Sequence, residues 1–90
     1  MDIDYDPDKR LQTLEHRGLD MNDAPLLFDG LKVTIHDDRK DYGEPHWLTF
    51  GYLRHRMVLV VWTLRGSKTR IISMRKANDR EKEIFSRRMA

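Results

Sequence analysis

Ninety residues make one domain with one core, and 39% hydrophobic against 36% charged residues mark a globular, heavily charged chain rather than a disordered one. With no cysteine there is neither a disulfide framework nor thiolate chemistry, and no apolar run approaches the roughly 20 residues of a membrane helix. The net charge of +2 conceals a segregation: residues 1 to 53 carry six Lys/Arg against twelve Asp/Glu, whereas residues 54 to 90 carry eleven against three.

The opening MDIDYDPDK is acidic, unlike a secretory signal, so the expectation is a cytoplasmic protein with no membrane partner. Met1 to Tyr5 alternates apolar and acidic residues and predicts a short edge strand. Asp6-Pro7 then supplies an N-cap and a first helical position, for a helix to about Arg17 with Leu11 and Leu14 inward and Gly18 ending it. Asp20 or Asn22 starts a second, shorter helix through Ala24, Leu27 and Phe28, closed by Asp29-Gly30, with Pro25 tolerable in its first turn.

Val33 to Ile35 predicts the next strand, and Asp37 to Glu44 an exposed acidic turn containing Gly43. His46 to Tyr52 alternates as a strand, with Trp47, Thr49 and Gly51 on one face and Leu48, Phe50 and Tyr52 on the other. After a turn at Arg54-His55-Arg56 comes the hairpin Met57 to Ala77, a β-branched and aromatic strand, a turn at Gly66-Ser67, and a second strand. On that second strand strict alternation places Arg70, Ile72 and Met74 on one face and Thr69, Ile71, Ser73 and Arg75 on the other. Asn78 with Glu81 has capping-box spacing, opening a last helix to about Arg88 that packs through Ile84 and Phe85. The fold class is α+β, residues 1–90 forming a single domain with an antiparallel sheet of four to five strands, two N-terminal helices and one C-terminal helix.

Arginines within a strand of the basic half point to a polyanion or an acidic protein partner. Trp62 in its apolar strand reads as core, whereas Trp47, in a more polar stretch beside His46, is the better candidate to stack on an unpaired base. His16, His36, His46 and His55 are scattered without metal-ligand spacing, and the run Asp37, Asp38, Asp41, Glu44 lacks the order of a metal loop, so no metal or cofactor is expected.

Four blocks carry a family resemblance: Asp6-Pro7-x-Lys9; Arg17-Gly18-Leu19-Asp20; Asp38 with Asp41-Tyr42-Gly43-Glu44; and Arg70 to Ala77 followed by Asp79-Arg80-Glu81. Over nearly its whole length the sequence resembles a BrnT-type toxin, the ribonuclease of a type II toxin–antitoxin pair. That resemblance implies a RelE-like fold, RNA cleavage that inhibits translation, and neutralisation by a BrnA-like ribbon-helix-helix antitoxin, with operator DNA met only through the antitoxin. The acidic turn is then a candidate face for a basic segment of that antitoxin. One departure is local: many members end the first helix Lys-His-Gly, and here the residues are His16-Arg17-Gly18, which moves the imidazole by about 100° around the helix.

Metal-free RNA cleavage by the 2′-hydroxyl needs a positioned phosphate, cations for its growing charge, and two proton transfers. Arg75, Arg70 and Arg65 are the candidate phosphate clamps and His16 the candidate base. Lys9, Arg17, Trp47, Lys76 and Arg80 are candidate RNA-binding residues. Arg70 and Arg75 are an odd number of positions apart, so they serve one site only if the strand is bulged or Arg75 lies past its end. The alternative is a non-catalytic RNA-binding or protein-interaction module with a basic hairpin face.

Overall fold

In the computed structural model, which describes all 90 residues, a first strand β1 (Ile3–Tyr5) runs straight into helix α1 (Pro7–Arg17). The Asp6 carboxylate accepts the Asp8 N–H at 2.9 Å, which caps α1. Gly18, at φ 67°, ends the helix by donating its N–H to the Leu14 carbonyl. Asp20 caps a short 3-10 turn, Met21–Asp23, that leads into α2 (Ala24–Asp29). Three antiparallel strands follow, β2 (Lys32–Asp37), β3 (His46–Leu53) and β4 (Arg56–Arg65), then β5 (Lys68–Lys76) and α3 (Asp79–Met89). The capping box expected at Asn78 and Glu81 is formed.

The sheet has the order β1-β5-β4-β3-β2 and is mixed rather than wholly antiparallel. The first strand pairs in parallel with the last, Asp4 opposite Arg70, and this long-range closure leaves no trace in local periodicity. At the other end of the sheet, Gly51 sits where an added Cβ would come within 2.7 Å of the Leu31 carbonyl oxygen.

Each face of the sheet buries its own cluster. The segment carrying Leu19, Met21, Ala24, Leu27 and Phe28 covers Leu53, Val58, Val60, Ile71 and Met74 on one face. On the other, α3 lays Phe85 over Val33, Phe50, Met57, Leu59 and Ala77. Leu11 and Leu14 are not inward, being 58% and 41% exposed; α1 instead turns buried Thr13 to the protein. The helix stands beside β5 rather than flat on the sheet, so only a narrow stripe of it is covered.

On β5 the simple alternation fails. Val61 pairs with Ser73 and Trp62 with Ile71, so Ile72 is an extra, unpaired residue. Thr69, Ile71 and Met74 therefore share the buried side, whereas Arg70, Ser73 and Arg75 share the other. The bulge comes just past the end of β1, where the outer edge of β5 loses its neighbour.

Candidate active site

Where β1 ends, α1 takes its place along β5, and the Arg17 Nη1 donates to the Met74 carbonyl at 2.8 Å. Beside the bulge a cleft of about 460 Å³ opens between helix and strand. Lys9, His16 and Arg17 line it from the helix, Ile72 and Ser73 from the strand. Lys9 and Ile72 also line a smaller cleft of about 180 Å³, completed by Asp6, Glu44, His46, Arg65, Arg70 and Ile71. The two hollows share a wall and form one groove. It collects His16, Lys9 and Arg17 from the first fifth of the chain and Arg65 and Arg70 from the hairpin.

The cations in this groove are held differently. Arg70 donates to Asp4 at 2.8 Å, and that hydrogen bond holds the Asp4 carboxyl below its ordinary pKa. Arg65 makes a looser approach, 3.4 Å, to Glu44. Lys9 and His16 have no ion pair or hydrogen bond from their side chains, so their charge and ring nitrogens are free for a ligand. A phosphate placed here meets an unpaired ammonium flanked by two guanidinium groups already oriented by carboxylates.

His46 belongs to the same groove and is the residue that the sequence reading passed over. Its ring stacks on Tyr42 at 4.1 Å between centroids, and its Nε2 lies 3.0 Å from Glu44. The His46 contact, ahead of that from Arg65, lowers the Glu44 pKa against an opposing effect of burial. The β3–β4 register could have found it: counting back from the turn at Arg54-His55 puts Trp47 opposite Trp62, and so His46 beside Thr63 and near Arg65. Thr63 in turn donates to the Pro45 carbonyl at 2.6 Å, tying the loop to the strand.

The turn expected between residues 37 and 44 is largely exposed, residues 38–41 and Gly43 among them, but Asp37 at its start is buried at the end of β2. The Asp37 side chain is only 1% exposed, paired with Arg39 through two hydrogen bonds of 2.8 and 2.9 Å and accepting another from the Tyr42 hydroxyl. The Arg39 guanidinium, with Tyr42 assisting, holds the Asp37 carboxyl far below the usual carboxylate range.

The remaining candidates lie elsewhere. Arg75 is on the same sheet face as Arg70 but donates through both terminal nitrogens to Glu81 at 2.9 and 2.8 Å, which ties it to the cap of α3. Burial raises the Glu81 pKa, yet Arg75 and the Asn78 N–H outweigh it and the net shift is downward. Trp47 is on the α2 side of the sheet, stacked on Trp62 at 5.0 Å, with His36 edge-on to it. Trp62 is held by Phe28 and by a 2.7 Å hydrogen bond to Thr49, in keeping with the core role expected of it. Arg80 is exposed on α3, and Lys76 lines a separate cleft beside that helix.

No three imidazole or carboxylate side chains converge as a metal site would require. No helix is long and apolar enough to cross a membrane. A family model described as ribonuclease toxin, BrnT, of type II toxin-antitoxin system matches residues 5–81. No curated protein matches the chain.

Proposed function

The chain belongs to the BrnT family of type II toxin–antitoxin ribonuclease toxins, and we propose that its groove between α1 and β5 is where RNA, in particular messenger RNA, is cleaved without a metal. The observation that carries this reading is Lys9, unpaired and common to both hollows, with Arg17 on one side and Arg65 and Arg70 on the other. In this proposal Lys9 and Arg70 hold the scissile phosphate, and Arg65 and Arg17 hold its neighbours. Arg75, kept in orientation by Glu81, adds positive potential from further along the same face.

One imidazole lines each hollow. His16 is open to solvent, and His46 is fixed by Tyr42 and Glu44. One takes the proton of the attacking 2′-hydroxyl and the other supplies a proton to the leaving 5′-oxygen. The product is then a 2′,3′-cyclic phosphate. A RelE-like ancestry, inhibition of translation in the cytoplasm, and capture by a BrnA-like ribbon-helix-helix antitoxin that covers the groove complete the reading.

The test is cleavage of an end-labelled RNA by purified protein in excess EDTA, beside Lys9→Ala. Fragments ending in cyclic phosphate from the wild type alone support the proposal. Binding without cleavage, with ribosomes present or absent, would return the chain to a non-catalytic RNA-binding module.

A further inference from the structure

A second cleft, about 540 Å³ and the roomiest of those described, lies between α3 and the end of the β3–β4 hairpin. Its polar walls include His55, Arg56, Lys76, Lys82 and Ser86, and no acidic residue lines it. Ion pairs elsewhere occupy Arg10, Arg39, Arg54, Arg65, Arg70, Arg75 and Arg87. Lys76 and Lys82 enter none of them, and Arg56 makes only a long 3.4 Å hydrogen bond to the Gly18 carbonyl. Three unneutralised cations and an imidazole thus converge on one hollow.

Its floor is aromatic. Tyr52 packs edge-to-face with Phe85 at 5.7 Å and 87°, which fixes the ring, while 56% of the residue stays exposed. A cluster of cations alone would suit any polyanion, an acidic protein segment included. A rigid, half-open ring among those cations suits a polyanion that carries flat groups between its charges, as single-stranded RNA does.

We propose that this cleft is a second RNA-binding subsite, separate from the groove beside α1. In it Arg56, Lys76 and Lys82 hold backbone phosphates and Tyr52 stacks on an unpaired base. The inference rests on the reading that the chain acts on RNA, but not on its being a nuclease. The substrate class it implies is a single strand long enough to engage both clefts at once.

The test is fluorescence anisotropy with a labelled, fully 2′-O-methylated RNA of about 16 nucleotides, at the upper end of single-strand sites on small domains. The methyl groups forbid cleavage, so binding is read by itself. Arg56→Gln/Lys82→Gln alters two exposed side chains, and Tyr52→Leu keeps the packing on Phe85 while removing the stacking face.

The double variant is expected to bind at least about tenfold more weakly, with the slope of log affinity against log salt reduced by about 1.4 for two phosphates lost. Tyr52→Leu is expected to weaken binding with the slope unchanged. Affinity and slope equal to wild type in the double variant would overturn the proposal. So would polyglutamate displacing the RNA equally well from wild type and Tyr52→Leu, which would mark a docking site for acidic protein. Failure of wild type to cut unmodified RNA, with this binding pattern intact, would remove the nuclease reading and leave the subsite standing.

Discussion

Arg70 and Arg75 project from the same face of β5 although five positions separate them, because Ile72 between them has no partner on β4. Their cross-strand neighbours, Thr63 and Leu59, fall on one face of β4. The two arginines nevertheless differ in what they hold: Arg70 faces Asp4, whose side chain is 37% exposed, whereas Arg75 is bound to Glu81, whose side chain is 14% exposed.

Replacing each arginine by alanine therefore separates chemistry from stability. Arg70→Ala is expected to lower RNA cleavage by about a hundredfold or more, as loss of a charge-stabilising donor does, with little change in the thermal midpoint. Arg75→Ala is expected to reduce cleavage less and to cost about 1–3 kcal/mol of stability, because Glu81 loses its partner. Cleavage assays and thermal melts on the same preparations read both.

Deleting Ile72 removes the unpaired residue and leaves every other β5 side chain on its present face. The variant is expected to fold with an unchanged far-UV spectrum and to lose cleavage, because the bulge residue is a wall of both hollows. An active deletion variant would show that the groove needs no bulge.

Asp37 makes acid stability specific to one loop. Its pKa is depressed in the folded chain by Arg39 and Tyr42, so its contribution is fully present above the unfolded value near 3.9 and is lost as pH falls toward the folded value. Urea midpoints of wild type and Asp37→Asn are expected to differ at pH 7 and to converge as pH drops below about 4. A gap constant with pH would mean that Asp37 acts through shape rather than charge.

Gly51→Ala is expected to destabilise by about 1–3 kcal/mol, since the new methyl group meets the Leu31 backbone carbonyl and not the end of a flexible side chain. Far-UV thermal melts check it, and an unchanged midpoint would show that the edge strand β2 shifts freely.

Local signals in the sequence carried the elements well. The Asp6 and Asn78 caps, the glycine stop at Gly18 and the alternation of Trp47 to Tyr52 are each decided within a few residues, and each stands where expected. What local signals could not carry was contact between distant segments. The parallel pairing of β1 with β5 joins residues 66 apart in sequence. The exposure of Leu11 and Leu14 depends on α1 flanking the sheet rather than lying on it.

The groove was legible by halves. Lys9, His16 and Arg17 could be named with Arg65 and Arg70, but His46 enters only through the β3–β4 register and the fold of the loop before it. Trp47 looked open because its own stretch is polar; its ring is covered by Trp62, which only strand pairing brings beside it.

The parallel closure of β1 on β5 also bears on synthesis. Lys9, His16 and Arg17 leave the ribosome well ahead of Arg70 and Ile72. Until β5 has emerged, β1 has no strand to pair with and α1 has no edge to lie along. The groove cannot exist before that pairing, and a pairing between such distant segments is slow to form. On the proposed function, a copy still being made has no cleavage site until β5 has emerged, and the interval before closure is time in which a second polypeptide can arrive.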